Sequence, residues 1–161
     1  MEQLSQLQPQ DARHYFMLPQ APEEAGYYVY GTPTGGKFQY AHPNMLTVLL
    51  WVEREWAAIE SRKFGVGNIS LPDGAATGEH HTHVDGLQVD VRALRKDGQH
   101  HPVTWHDHEY DLNATAKLIG LFFSHPLVKT VLFNDHRIPG VQPWDDHDNH
   151  FHVALRVPRP R

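Results

Sequence analysis

The chain has 161 residues, fourteen histidines and no cysteine, and its net charge is −5 when the histidines are neutral. This length suits one domain. The lack of cysteine excludes a disulfide scaffold, thiolate metal sites and a cysteine nucleophile. The negative charge argues against a dedicated nucleic-acid binder. No apolar run approaches the roughly 18–20 residues that a membrane-spanning helix needs.

The two ends of the chain differ in composition from its middle. Residues 1–26 contain several prolines and little periodicity, which predicts an extended N-terminal lead-in. A single domain is predicted over 27–157, followed by a basic, proline-containing tail at 158–161. The first ten residues are polar and lack the cationic start and apolar stretch of a secretory signal. We therefore expect a protein made in the cytoplasm without a signal peptide.

The first half of the domain contains one long predicted helix between two short strands. Residues 27–30 have the aromatic and β-branched composition of a strand. Apolar residues then recur at steps of three and four over 44–63, which predicts a helix, with Glu53 as the exception on its apolar face. Pro43 suits the first turn of that helix. A further short strand is predicted over 66–71.

The second half of the domain contains three more strands and a second helix. Residues 87–94 alternate between apolar and polar side chains, as in a half-buried strand. Asp111 is a suitable N-cap for a helix over 112–123. Strands are predicted over 129–134 and 151–157. The mixed order predicts an α+β fold, with a mainly antiparallel central sheet flanked by two principal helices.

Strand alternation places candidate metal ligands on two of these strands. Asp90 lies on the polar face of the 87–94 strand, and His150 and His152 lie on the polar face of the last strand. If both faces meet one cleft, Asp90 and His152 converge, and His83 enters from the preceding loop. Two imidazoles, one carboxylate and an open position are typical of catalytic zinc. The same ligand types are also compatible with copper and with the ferrous iron of oxygenases.

A second group of histidines lies in the polar loop over 99–110. Its members share no strand alternation; they are His100, His101, His106 and His108. We interpret this group as a solvated loop or the rim of a cleft rather than as a metal site.

The two histidine-containing segments also resemble a known family. The first segment carries Gly78-x-His80-x-Thr82-His83-x-x-Gly86-Leu87-x-Val89-Asp90, and the second carries His147-x-x-His150-Phe151-His152. In order and spacing they resemble the penicillin-insensitive murein endopeptidases. That family belongs to a wider metallopeptidase group with lysostaphin-type enzymes, D-Ala-D-Ala peptidases and the hedgehog signalling domain. The resemblance covers about residues 65–157 and departs at Gln88, where relatives often have a small or acidic residue.

The resemblance implies a role for each of these positions. It makes His83, Asp90 and His152 the ligands of a zinc ion, and residues 27–157 a zinc metallopeptidase domain with a hedgehog/D-Ala-D-Ala-peptidase-like fold. It makes His150 and His147 active-site histidines beside the metal, and His80 a further histidine of the cleft.

The sequence offers several candidates for the general base. Some relatives use a glutamate, but no glutamate follows Tyr110 in this sequence. His150 is the first candidate because it shares a strand face with His152, and His147 is the second. Glu79 is a weaker candidate for the base. Arg156, also on the face of His152, is a candidate for binding a substrate carboxylate.

The implied function is that of a zinc-dependent peptidoglycan endopeptidase, which hydrolyses peptide cross-links at the D-alanyl–diaminopimelate bond. The alternatives are a D,D- or L,D-carboxypeptidase on the same site and a non-catalytic zinc-bearing binding module. The expected partners are peptidoglycan stem peptides, with no nucleic acid and no membrane. We expect the protein to act in the periplasm or cell wall, either as an injected antibacterial effector with a secretion-system carrier and a cognate immunity protein, or as a phage lysin.

Overall fold

The computed structural model describes residues 8–31, 33, 35–76 and 82–160. The strands within these ranges are β1 (Phe16–Met17), β2 (Tyr27–Val29), β3 (Tyr40–Ala41), β4 (Phe64–Val66), β5 (Gln88–Arg92), β6 (Val128–Leu132) and β7 (His150–Leu155). The helices are α1 (Pro43–Ile59) and α2 (Leu112–Ser124). This combination confirms the predicted α+β class with two principal helices.

The strands form one large sheet and one small sheet. The large sheet has the order β2-β4-β5-β7-β6, in which β2 and β4 are parallel and every other neighbouring pair is antiparallel. A mainly antiparallel central sheet was predicted and is confirmed. In the small sheet, β1 pairs with β3 in antiparallel orientation. The predicted lead-in at 1–26 therefore contains a short strand that is hydrogen-bonded to the domain.

Both helices cover one face of the large sheet. Phe64 of β4 contacts Trp56 of α1 and Phe122 of α2, and Phe122 also contacts Phe151 of β7. These four side chains are at most 1% exposed, so the core lies between the helices and this face. Neighbouring residues on a strand point to opposite faces. The other face, which we call the polar face, carries Tyr28, Gly65, Gln88, Asp90, Arg92, His150 and His152.

The helix starts agree with the sequence. His42 caps α1 by accepting a hydrogen bond at Nδ1 from the Asn44 N–H at 3.0 Å, and Pro43 is the first helical residue. Asp111 caps α2 by accepting from the Ala114 N–H at 2.9 Å, as predicted. Within the described ranges, neither helix is long and apolar enough to cross a bilayer.

The two largest boundary differences from the predictions are in α1 and β4. Helix α1 ends at Ile59 rather than at residue 63, because Glu60 has an extended backbone and Phe64 already pairs with Tyr27 in the sheet. The strand predicted over 66–71 is instead β4 at Phe64–Val66, since pairing with β2 selects the earlier residues. Both differences come from sheet pairing between distant segments, which local periodicity does not contain.

Arg62 joins the end of α1 to the start of α2. Its guanidinium donates to Glu60 and Asp111 at 3.0 and 2.9 Å, and to the backbone oxygen of Arg95 at 3.0 Å. The hydrogen bond from Arg62 lowers the pKa of Glu60 to about 2. Burial would raise the pKa of Asp111, but hydrogen bonds from the Ala114 N–H and Arg62 lower it.

Arg62→Gln should reduce the free energy of unfolding at pH 7 by about 1–2 kcal/mol, discounted for partial solvent exposure. Carboxyl groups with lowered pKa values stabilise the fold above their unfolded pKa, near 4, and this stabilisation is lost as the pH falls toward about 2. The difference between variant and wild type should therefore shrink between pH 5 and pH 2. Urea unfolding at several pH values measures it, and a difference independent of pH would contradict the assignment.

Candidate metal centre

The polar face of β5 and β7 brings three potential metal ligands together. Asp90 and His152 are direct partners in the antiparallel pairing of these strands. His83 precedes β5 and reaches the same point, where its Nε2 lies 3.3 Å from Asp90 Oδ1. His152 Nδ1 lies 3.2 Å from the same oxygen. One ligand atom from each of the three residues lies within 4.8 Å of the others.

The loop before β5 is shaped by a turn at Gly86. This glycine has a φ of +72°, and a Cβ atom at its position would lie 2.6 Å from the backbone nitrogen of His42. Only glycine tolerates both conditions readily. The Gly86 carbonyl accepts from the His42 N–H at 3.1 Å, and Asp85 accepts from the Leu87 N–H at 2.9 Å. These contacts fix the loop that carries His83 against the start of α1.

The second ring nitrogen of each histidine ligand is held by an acceptor. His83 Nδ1 lies 3.1 Å from the backbone oxygen of Ile69, and His152 Nε2 lies 2.6 Å from Gln88 Oε1. When a cation binds, these acceptors can keep the proton on His83 Nδ1 and His152 Nε2, so that His83 Nε2 and His152 Nδ1, which face Asp90, become the ligand atoms. Such outer partners orient histidine ligands in metal sites.

The donor set fits a small divalent cation. Ligand atoms placed about 2.0–2.1 Å from a tetrahedral zinc ion lie about 3.3–3.4 Å apart. The distances of 3.2 and 3.3 Å from Asp90 to the two imidazoles match this separation. Both histidines are buried, since His83 and His152 are 4% and 5% exposed. A calcium site would require more oxygen ligands than this cluster offers. The cluster can therefore hold a metal ion of the kind that nitrogen and carboxylate ligands favour.

The charges in the cluster also favour a cation. Burial would raise the pKa of Asp90, but hydrogen bonds from His152 and His83 lower it well below its usual range. Burial opposes the charged form of His83, yet the hydrogen bond to Asp90 and its negative charge outweigh this and raise the pKa of His83. The buried carboxylate thus remains ionised and attracts positive charge to this point.

His150 and His147 lie beside the three ligands. His150 Nε2 is 3.8 Å from Asp90 Oδ1, and its Nδ1 is 2.7 Å from Asn149 Oδ1. The ring of His147 lies 4.9 Å from that of His150 and 5.8 Å from that of His152, with its Nδ1 2.7 Å from the backbone oxygen of Asp145. Both Nδ1 atoms face acceptors, so Nε2 of each ring is free to accept a proton. Burial lowers the pKa of His150, which favours its neutral form.

The remaining candidates are placed differently. Arg156 follows the end of β7, is exposed, and donates from Nε to the backbone oxygen of Pro126 at 3.2 Å. His80 and Glu79 lie outside the described residues. In the 99–110 loop, His100 stacks on Tyr28 with 3.8 Å between the ring centroids. Among the described residues, the three ligands above form the one group of at least three metal-binding side chains.

Gln88 is a functional candidate that the sequence marked only as a departure from relatives. Its amide oxygen holds Nε2 of His152. Gln88→Leu keeps the approximate volume but removes the acceptor, and it should weaken metal binding about 10- to 100-fold. Competition with a coloured chelator measures the dissociation constant. As a control, Gln88→Glu retains an acceptor and should bind metal at least as tightly as Gln88→Leu. Equal metal affinities of wild type and Gln88→Leu would contradict the role of Gln88 as the acceptor for His152.

Comparisons with known proteins support the resemblance at a distance. No family model matches the chain. Among curated proteins, it is 26% identical over 149 residues to proteins named penicillin-insensitive murein endopeptidase from Escherichia coli O1:K1, strain SMS-3-5 and O45:K1 strain S88. Each alignment covers 74% of this chain and 54% of the relative. The chain thus spans about half the length of the curated relatives it matches and is distantly similar to them.

Proposed function

We propose that this protein is a zinc-dependent peptidoglycan hydrolase that cleaves peptide cross-links, at the D-alanyl–diaminopimelate bond. The observation that carries this proposal is the buried cluster of His83, Asp90 and His152, in which both imidazoles approach the Asp90 carboxylate at 3.2–3.3 Å and each has an oxygen partner at its other ring nitrogen. The distant similarity to proteins named murein endopeptidase supports the substrate class. Zinc is favoured because two imidazoles and one carboxylate with an open position are its usual catalytic ligands.

The reaction is the addition of water to an amide, followed by loss of the amine. Bound zinc supplies Lewis acidity, which polarises the scissile carbonyl and activates the attacking water. His150 accepts the proton of that water at Nε2, the ring nitrogen that faces Asp90. The protonated imidazole then donates the same proton to the leaving nitrogen. The products are a carboxylic acid and an amine, so no further reactant is required.

Asn149 and Asp145 position the rings of His150 and His147. The Asn149 side chain accepts from His150 Nδ1, and the Asp145 carbonyl accepts from His147 Nδ1. With the proton on Nδ1, each ring keeps Nε2 for proton transfer, and Nε2 of His150 lies 3.8 Å from Asp90 Oδ1. His147, whose ring is 4.9 Å from His150, is placed to hydrogen-bond the substrate or to relay the proton outward.

The decisive experiment incubates purified sacculi with the metal-loaded protein and identifies the released muropeptides by mass spectrometry. Loss of cross-linked dimers, with a matching gain of monomers, is expected. A parallel sample with a chelator should show no change, and readdition of zinc should restore cleavage. Unchanged dimers in the metal-loaded sample would contradict the proposed endopeptidase.

The same experiment separates the alternatives. Loss of terminal D-alanine from monomers, with dimers intact, would identify a carboxypeptidase on this site. Stoichiometric zinc without any hydrolysis would identify a zinc-bearing binding module. Elemental analysis of the purified protein supplies the metal identity for both readings.

The substrate also determines where the protein acts. We propose action in the periplasm or cell wall, reached by injection as an antibacterial effector, with a secretion-system carrier and a cognate immunity protein, or by release as a phage lysin. Expression directed to the periplasm of a test bacterium should cause lysis, whereas expression kept in the cytoplasm should not. Equal toxicity in both compartments would contradict a cell-wall target.

A further inference from the structure

A groove extends from the cluster of His83, Asp90 and His152 across the polar face toward β2. It encloses about 450 Å³, and Asp90 lies at one end. Tyr28 and Tyr30 at the β2 edge, Arg92 of β5 and His100 of the following loop line the remainder. The groove is therefore continuous with the candidate metal centre through Asp90.

Two glycines lie against the tyrosine rings that line this groove. A Cβ atom on Gly65 would lie 2.7 Å from Tyr28 Cζ, and one on Gly67 would lie 2.6 Å from Tyr30 Cζ. Any larger residue would push these rings off the sheet. The glycines therefore allow both tyrosine rings to lie close to the polar face, at the side of the groove that Arg92 faces.

Arg92 is held in the groove by aromatic rings rather than by an acid. Its guanidinium lies 3.9 Å from the centroid of the Tyr30 ring and 6.0 Å from that of Tyr28. Its one hydrogen bond within the described residues is a long contact of 3.4 Å from Nη1 to the backbone oxygen of His100. No described carboxylate lies within ion-pair distance of it, in contrast to the paired Arg13, Arg54, Arg62, Arg95 and Arg137.

The position of Arg92 relates it directly to the metal ligands. It follows Asp90 by two residues on the same strand face, which separates their Cα atoms by about 7 Å. Across the sheet it pairs with His150, just as Asp90 pairs with His152. A peptide bound with its scissile carbonyl at the cluster of His83, Asp90 and His152 and its leaving side along β5 would bring its next residue toward the guanidinium.

We propose that Arg92, supported by Tyr28, Tyr30 and His100, is a carboxylate-binding subsite that selects peptides with a free carboxylate next to the scissile amide. Arginine suits this role because its planar guanidinium can bind a carboxylate through two parallel hydrogen bonds while it stacks on an aromatic ring. The inference rests on the proposed function. In a diaminopimelate cross-link, the carbon that bears the acylated amine also bears a carboxylate, so the substrate offers the required group.

The test compares two muropeptide dimers that differ only in this carboxylate, one free and one amidated. Wild type should cleave the free acid about 10- to 100-fold more efficiently in kcat/KM than the amide. Arg92→Gln should lose this preference because its kcat/KM falls for the free acid and stays unchanged for the amide. Arg92→Lys should restore part of the preference. Lys117→Gln removes one positive charge from the exposed surface of α2 and should retain the full preference.

A binding measurement separates the subsite from the reaction. N-acetyl-D-alanine and its carboxamide are titrated into wild type and Arg92→Gln, with NMR shifts of the Gly65, Gly67 and Arg92 amides as the readout. If the acid causes larger shifts than the carboxamide in wild type but not in Arg92→Gln, the subsite is supported. This holds even if no dimer is cleaved, and then only the proposed function fails. An acid preference that survives in Arg92→Gln, or equal binding of acid and amide by wild type, overturns the subsite.

Discussion

Asp90→Asn is expected to abolish stoichiometric metal binding while the domain remains folded. Asp90 is the one charged ligand of the cluster, and its Oδ1 lies within 3.3 Å of both imidazole donors. Asparagine keeps the shape but supplies a neutral oxygen. Since changes of outer partners alone weaken metal binding about 10- to 100-fold, removal of this ligand should weaken it at least about 100-fold.

Loss of the metal should also remove the hydrolytic activity. We expect a decrease of at least about 10³-fold in kcat/KM, which corresponds to about 4 kcal/mol of transition-state stabilisation. Elemental analysis after dialysis gives the metal content, and circular dichroism checks the fold.

His83→Ala and His152→Ala should behave in the same way. His108→Ala removes an exposed histidine of the 99–110 loop and should keep one metal ion per chain. Stoichiometric metal retained in all three ligand variants would show that the assignment is wrong.

The cluster of candidate metal ligands could be predicted because strand alternation is local and the resemblance to a known family connects the two segments, although Asp90 and His152 are 62 residues apart in the chain. Alternation along β5 and β7 places Asp90 and His152 on one face, and the antiparallel pairing then sets them opposite each other. The N-caps of both helices are equally local, since His42 and Asp111 bind N–H groups two and three residues away. These features need only the neighbouring sequence and one correct strand pairing.

The groove could not be predicted in the same way. It depends on the parallel pairing of β2 with β4, which brings Tyr28 beside Gly65 across more than thirty residues of chain. The 99–110 loop was expected to be a solvated loop or the rim of a cleft, but the stacking of His100 on Tyr28 follows only from the folded sheet. Alternation also placed Arg156 on the face of His152. In the structure β7 ends at Leu155, two residues before the predicted end, and the Arg156 guanidinium donates from Nε to the backbone oxygen of Pro126.

His150→Ala is expected to keep the metal and lose turnover. His150 is no member of the three-ligand cluster, and its Nε2 lies 3.8 Å from Asp90 Oδ1, beside the ligands. Removal of a general acid–base group typically costs about 10²- to 10⁴-fold in rate. We expect that loss mainly in kcat, with one metal ion per chain retained. Muropeptide release under saturating substrate measures the rate, and elemental analysis of the same sample measures the metal.

His147→Ala is the matched comparison because the two rings lie 4.9 Å apart and both have Nδ1 fixed by an acceptor. Its expected loss is smaller than that of His150→Ala, since His147 is a loop residue further from the ligands. Asn149→Ala should cause an intermediate loss, because it frees the tautomer of His150 without removing the ring. Normal turnover of His150→Ala together with a large loss in His147→Ala would transfer the base role to His147. Loss of metal from His150→Ala would instead make His150 a ligand.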